Sequence, residues 1–476
     1  MIESSGSAIC EQIGGSFRDP SGFVFWRDGQ IYRAIDQNCH DTLRQLHHEG
    51  LLQELIDRGT IVATQFVEDA RLADELATQH APYQHFLQHE TLSAITYPYE
   101  WSFSMLADAA LLTLSLQISL LENGYSLKDA TAYNVQFVDA RPVFIDIASI
   151  ERPPRQDLWY ALGMFMKMFL FPLTLCHYHG WDLRSYFLSS ISGRDAAAVL
   201  NSIPPSQRWR PRNLLDITLP AWLARREEKR LHQREPSQNR PADSSAAQTI
   251  NLRRLQRKIT KLKSNYRVEG HWKSYPQTCT YTDRAIEAKK RWVREFLSAA
   301  RPRRVLDLGC NTGEYSRIAG ECGAQVLAVD SDHDTIELFY RNLQKTPAAI
   351  TPMVLDLNNP SPAIGFLNRE RDSFLNRAEA DCVLGLALLH HLITSNGNIP
   401  LDYICELLHK LSGTYLILEF VPPQDPMFEQ LMKFRTDSYL TVTLELCKRV
   451  FAKRFDLLSE RPIPDSQRHL LFLRSK

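Results

Sequence analysis

Apolar and polar positions divide this chain into two patterns, separated by a stretch with nothing to bury. Residues 22–34 alternate apolar and polar on either side of Asp28-Gly29, which predicts a β-hairpin closed by a two-residue turn. Helical spacing follows, with two long apolar runs near 105–121 and 158–175 and a short hairpin-like segment near 134–147 between them. From residue 265 onward the pattern becomes strand, helix, strand, helix. The predicted strands lie near 303–308, 325–330, 351–355, 381–386 and 414–420, with a last pair near 454–458 and 468–474. Such alternation predicts a parallel sheet with helices on both faces, and the last pair predicts its edge.

The break lies near 225–248. Arg225 to Arg234 is strongly charged and residues 235–247 are polar and proline-bearing, which predicts a solvated linker. Leu252, Leu255, Ile259 and Leu262 then recur at spacings of three and four, predicting a short amphipathic helix. From Arg225 to Lys263 there are twelve Lys/Arg against four Asp/Glu, so the stripe is flanked by basic residues. Docking of that helix on a neighbouring domain is the expected use. The expected organisation is an N-terminal α+β domain over 1–224, a charged linker with a short helix over 225–264, and an α/β Rossmann-like domain over 265–476.

Composition narrows the class of protein. A length of 476 residues with 44% hydrophobic content fills two cores. Fifty-five basic residues balance fifty-five acidic ones, so no global field favours nucleic acid or an anionic membrane. The nine cysteines include no CxxC pair, which fits reduced thiols in a soluble, cytoplasmic protein. The N-terminus has no signal-peptide pattern, and both apolar runs are expected to fall short of the ~20 residues a membrane span needs.

Candidate chemistry concentrates in the second half. Val305 to Gly313 reads as a buried strand entering a glycine-bearing turn, with a helix from Glu314. Gly309 and Gly313 would let the backbone pass close to a ligand. A dinucleotide cradle wants G-x-G-x-x-G, but Asn311 stands at the middle position, so the turn suits a ligand without a pyrophosphate. Asp330 ends the next strand, where a carboxylate can accept two ribose hydroxyls, and Asp356 follows the third strand.

Asp307 with its glycine turn, Asp330, Asp356 and the strand from Asp381 into His390-His391 stand in order and at suitable spacing. Together they resemble the class I S-adenosylmethionine-dependent methyltransferases over about 200 residues. The resemblance implies S-adenosylmethionine as cofactor, held around Asp307, Gly309, Cys310, Asn311, Gly313, Asp330, Ser331, Asp356 and Leu357. It also implies an acceptor facing His390 and His391, either of which could serve as general base, with Glu419 at the end of the fifth strand as a further candidate. Trp272, Tyr275, Tyr281 and Lys289 fall where this family often folds a lid over its cofactor. The two-part arrangement further resembles bacterial host-nodulation methyltransferases, which implies a small-molecule or glycan acceptor, with no nucleic acid, metal or membrane span expected.

In the first half, Asp129 and Asn134, five apart, are followed by Asp146 in Val143-Phe-Ile-Asp146. This resembles the catalytic segment of kinase-like phosphotransferases in degenerate form, which would imply a hydroxyl-orienting aspartate and two Mg²⁺ ligands. Leu127 and Lys128 depart from that pattern, as do Ile147-Ala148, and no glycine-rich phosphate loop is visible between residues 20 and 70. Three functions follow as alternatives. The first is methyl transfer, with the N-terminal half positioning substrate or partner. The second is a bifunctional enzyme that adds Mg·ATP-dependent phosphotransfer. The third is a non-catalytic, cofactor-binding assembly factor.

Overall fold

The computed structural model describes residues 11–222, 245–268, 282–394, 397–426 and 442–476. The first hairpin forms as the alternation predicts: β2 (Gly22–Arg27) pairs antiparallel with β3 (Gln30–Ile35), and Asp28 and Gly29 turn at φ 50° and 78°. With β1 (Glu11–Gln12), β4 (Thr64–Phe66) and β5 (His85–His89) they build a sheet in the order β1-β2-β3-β5-β4. Helix α1 (Gln37–His48) leaves β3 with Asp36 as its cap, whose carboxylate accepts the Cys39 N–H.

Helix α2 (Phe103–Glu122) runs 20 residues and, against the expectation that its apolar run falls short of a span, is apolar enough by length and composition to cross a membrane. Most of it is buried inside the protein, which is why it is apolar on every side. Its Asp108 accepts hydrogen bonds from Lys263 at 2.6 and 2.7 Å and from the Tyr340 hydroxyl at 2.7 Å. The second hairpin, β6 (Val135–Val138) and β7 (Arg141–Phe144), follows it.

Helix α3 (Ser245–Asn265) is also longer than the short helix expected. Leu252, Leu255, Ile259 and Leu262 are buried, and α3 packs along α2. Its basic flank meets acids of the N-terminal half: Arg254 and Lys258 reach Asp216 at 2.8 and 2.5 Å, and Lys263 reaches Asp108. Those pairings account for the basic stripe as docking. Most of the charged stretch 225–247 lies outside the described residues.

The second half begins with α4 (Asp283–Ala300) and continues as β8 (Arg304–Leu308), α5 (Glu314–Glu321), β9 (Gln325–Asp330), α6 (His333–Lys345) and β10 (Ile350–Val354). Then come β11 (Ala380–Gly385), α7 (Leu389–Thr394), α8 (Leu401–Leu411), β12 (Ser412–Phe420), α9 (Leu444–Phe451), β13 (Phe455–Pro462) and β14 (His469–Ser475). The sheet runs β10-β9-β8-β11-β12-β14-β13, parallel up to β12 and antiparallel at the β13–β14 edge. Alternate residues feed two cores. Leu306, Leu327, Val383 and Leu416 join one, while Val305, Val326, Cys382 and Ile417 join another that is continuous with the core around α2. One face of the second half is therefore covered in part by the first.

Replacing Asp108 by Ala leaves the Lys263 ammonium and the Tyr340 hydroxyl without their shared acceptor. The expected cost is about 2–4 kcal/mol, read as a fall in thermal midpoint, with Asp108→Asn losing less.

Candidate functional site

A pocket of about 710 Å³ opens at the C-terminal ends of β8, β9, β10 and β11, with the start of α4 as one wall. This is the edge where strand order reverses: the chain leaves β8 for β9 on one side, and later β11 adds on the other. Parallel strands deliver their following loops to one edge, so Asp307, Asp330, Asp356 and His391 all line the pocket although they lie far apart in sequence.

The turn after β8 is built on positive φ: Gly309 at 72°, Asn311 at 49° and Gly313 at 83°. The N–H groups of Gly309 and Cys310 donate to the Val329 carbonyl at 2.9 and 3.0 Å, clipping the turn to β9. Gly309, Cys310 and Asn311 line the pocket, but Gly313 does not. A Cβ on Gly313 would stand 1.8 Å from the Phe339 ring, so this glycine lets α6 pack under the turn and does not bring backbone to a ligand. That corrects the role expected of it. Cys310 is buried and its thiol pKa is raised well above the ordinary value by burial, so it serves as a small wall residue.

Three carboxylates sit in this crevice with different supports. Asp307 is 2% exposed and accepts the Ser316 hydroxyl at 2.6 Å; burial lifts its pKa to about 6, against the pull of that bond and of Lys289. Asp330 accepts the Asn311 and Asp332 N–H groups at 2.9 and 3.0 Å, and burial raises its pKa against those bonds. Asp356 accepts both the backbone N–H and the side-chain amide of Asn358, at 2.8 and 2.9 Å. Ser331 and Leu357 complete the wall beside them.

The two histidines lie beyond the strand end, in the first turns of α7, and the helix separates them. His391 lines the pocket; His390 is buried behind it, with ring centroids 4.2 Å apart. Burial lowers the pKa of both, and the nearby Arg468 lowers it further, so His391 faces the pocket as a neutral imidazole.

Glu419 does not line the pocket. It is fully buried on β12, with Oε2 2.5 Å from Lys289 Nζ and Oε1 3.4 Å from Arg468 Nη1; Arg468 in turn grips Asp425 at 2.6 and 2.9 Å. Lys289 does line the pocket, its Nζ 4.6 Å from the centre of the Tyr315 ring. Glu419 therefore acts on the crevice through Lys289. Of the expected lid residues, Trp272, Tyr275 and Tyr281 lie outside the described residues. The placement of Lys289 had a signal in sequence: it falls on the stripe Ala285, Ala288, Val293, Leu297, the buried face of α4. Tyr315 and Thr335 also line the pocket, with no motif to mark them.

In the first half, Asn134 Nδ2 donates to Asp129 and Asp146, both at 3.3 Å, so the three residues come together. Arg33 Nη1 lies 2.7 Å from Asp146 and 3.3 Å from Asp19, while Lys128 donates to Ser21 at 2.6 Å. Burial and the Asp146 charge raise the pKa of Asp129. Asp146 is thus paired with both Arg33 and Asn134, and Asn134 bridges it to Asp129.

Residues 281–447 match a family described as a methyltransferase domain. Nodulation protein NoeA of Rhizobium meliloti (strain 1021) is 33% identical over 467 residues, covering 96% of this chain and 95% of that protein. Among solved structures, magnesium protoporphyrin IX methyltransferase (ChlM) from Synechocystis PCC 6803 is 17% identical, with a TM-score of 0.30 over 40% of this chain and 84% of that one. N-methyltransferase NodS from Bradyrhizobium japonicum WM9 is 10% identical, with a TM-score of 0.30 over 40% of this chain and 97% of that one.

The raised pKa of Asp307 has two consequences of opposite sign. Folding holds its proton more tightly than the unfolded chain does, so its contribution to stability falls as pH rises from the ordinary 3.8 to about 6. A ligand that brings a cation to Asp307 needs the ionised form. Affinity for S-adenosylhomocysteine is then expected to fall by up to about tenfold per pH unit below 6. Calorimetric titrations from pH 5 to 8 should show this slope in wild type and a flat, weaker response in Asp307→Asn.

Proposed function

Because the chain belongs to the NoeA family of nodulation proteins and carries an S-adenosylmethionine-dependent methyltransferase domain in its C-terminal half, we propose that it methylates an oxygen or nitrogen of a small, polar acceptor of glycan type. The observation that carries this reading is the meeting of Asp307, Asp330, Asp356 and His391 in one crevice. Bound S-adenosylmethionine supplies an electrophilic methyl group on sulfonium. In our reading Asp330 accepts the ribose hydroxyls, Asp356 accepts from the adenine amino group, and Asp307 takes the ammonium of the amino-acid end. Lys289, the buried cation beside Asp307, takes the carboxylate.

On the acceptor side, His391 is the general base. Its lowered pKa keeps it unprotonated at neutral pH, able to take a proton from a hydroxyl or amine held about 3 Å from the methyl carbon. The outer wall carries the exposed Asp283, Glu287 and Glu314 together with Lys290, which pairs with Glu287 and Glu314 at 3.6 and 2.6 Å, a polar rim that suits the hydroxyl groups of a saccharide better than an apolar acceptor. The first half serves in this reading to support the crevice and position acceptor or partner, in the cytoplasm. Methyl transfer is favoured over added phosphotransfer because the Arg33 guanidinium, 2.7 Å from Asp146, places a cation where a metal ion would sit.

Three substitutions separate these roles. Asp330→Ala should abolish calorimetric binding of S-adenosylhomocysteine while the protein stays folded; retained affinity would count against the cofactor assignment. His391→Asn should lower kcat about 100-fold and leave that affinity within about twofold. Lys289→Met should weaken S-adenosylhomocysteine about tenfold but leave 5′-methylthioadenosine, which lacks the amino-acid end, unchanged. Equal losses for both ligands would mean that Lys289 only supports the fold.

A further inference from the structure

The amino end of α2 is capped by the other half of the chain. A buried helix leaves its first N–H groups without intrahelical partners, and the residue ahead of it ordinarily supplies an acceptor. Here that residue is Ser102, and its side chain makes no such bond. Instead the Phe103 N–H donates to His333 Nε2 at 3.1 Å, and the Ser104 N–H donates to Glu337 Oε2 at 2.8 Å. The Ser104 hydroxyl donates to the other carboxylate oxygen of Glu337, which also receives Arg341 Nε at 2.6 Å. Both Ser104 and Glu337 are fully buried, so no water can take over these bonds.

His333 and Glu337 lie on α6, which starts directly after the pocket residues Asp330 and Ser331 and contributes Thr335 to the pocket itself. Asp330 accepts the Asp332 N–H with one oxygen and the Asn311 N–H with the other. Asp332 caps α6 by accepting the Thr335 N–H at 2.8 Å. Hydrogen bonds therefore tie the glycine turn to Asp330 and Asp330 to the cap of α6, and separate side-chain bonds from the same helix reach the start of α2.

We infer that His333 and Glu337 are positioning residues for the cofactor pocket, through which the N-terminal half sets its affinity for S-adenosylmethionine; this rests on the cofactor reading given above. Capping α2 fixes where α6 begins, and with it the direction of the Asp330 carboxylate. Coupling of this kind is reciprocal: whatever α2 contributes to cofactor binding, cofactor must return as stability of the α2 cap.

Reciprocity gives the test, made on the full-length protein by hydrogen exchange with and without S-adenosylhomocysteine. Saturation should slow exchange of the amides of residues 103–107 several-fold. Glu337→Gln and Ser104→Ala should each weaken S-adenosylhomocysteine about tenfold, within the usual range of coupling between sites, with kcat at saturating cofactor within about twofold of wild type. Ser104→Thr, which keeps the hydroxyl, should bind like wild type. Unchanged exchange at 103–107 in wild type that binds S-adenosylhomocysteine would overturn the inference alone, and this comparison needs no variant to fold. Folded Glu337→Gln and Ser104→Ala with wild-type affinity would overturn it as well. Wild type that binds no S-adenosylhomocysteine would remove the cofactor reading, and this inference with it.

Discussion

A charge taken out of water must find its partner inside the protein, and that constraint organises this molecule. Glu100, Glu337 and Glu419 are fully buried, and each is met by a cation from a different part of the chain or the next helical turn: Arg377, Arg341 and Lys289. Removing either member of such a pair leaves an uncompensated ion, which is far more costly than never having buried the pair. These contacts are therefore poor sources of net stability and strong selectors of one arrangement. Glu100 of the first half finds its cation at Arg377 of the second, Asp108 receives the Tyr340 hydroxyl, and Glu337 of the second half receives Ser104. The halves cannot slide past each other without breaking several at once.

The same cost shapes the crevice. Asp307 and Asp330 lie where the sheet core meets the pocket, and burial raises the pKa of both. Asp330 is held by two backbone N–H groups, a rigid support that leaves its direction fixed. Asp307 accepts from both the hydroxyl and the backbone N–H of Ser316, and the nearby Lys289 charge favours its ionised form.

How much of this was legible in the sequence follows from the range of each interaction. Strands β8 to β14 were readable to within a few residues because burial on both faces leaves runs such as Val305-Leu306 and Val326-Leu327, whose pattern is local. Asp330 and Asp356 were readable for the same reason: each ends or follows a strand. Gly313 was misread because its glycine requirement comes from Phe339, 26 positions away and on another helix. His390 and His391 could not be separated until the short helix α7 turned one outward and one inward. Glu419 looked like an acceptor-side carboxylate because no local feature announces Lys289 and Arg468 as its partners. The cap of α2 was wholly silent, since its donors and acceptors stand more than 200 positions apart.

That silence bears on what the first half is for. A helix packed on a sheet usually turns its polar face to solvent, and α6 carries Glu337 and Tyr340 at spacing three. In this chain that face is buried against α2: Glu337 is an acceptor for a helix start and Tyr340 a donor to Asp108. A second half released from the first would expose Tyr340 and return Glu337 to water, where it would no longer be held as a cap. The first half is thus not an appendage that happens to neighbour the pocket. It supplies the surroundings in which the sequence of α6, the helix leading out of Asp330, makes physical sense.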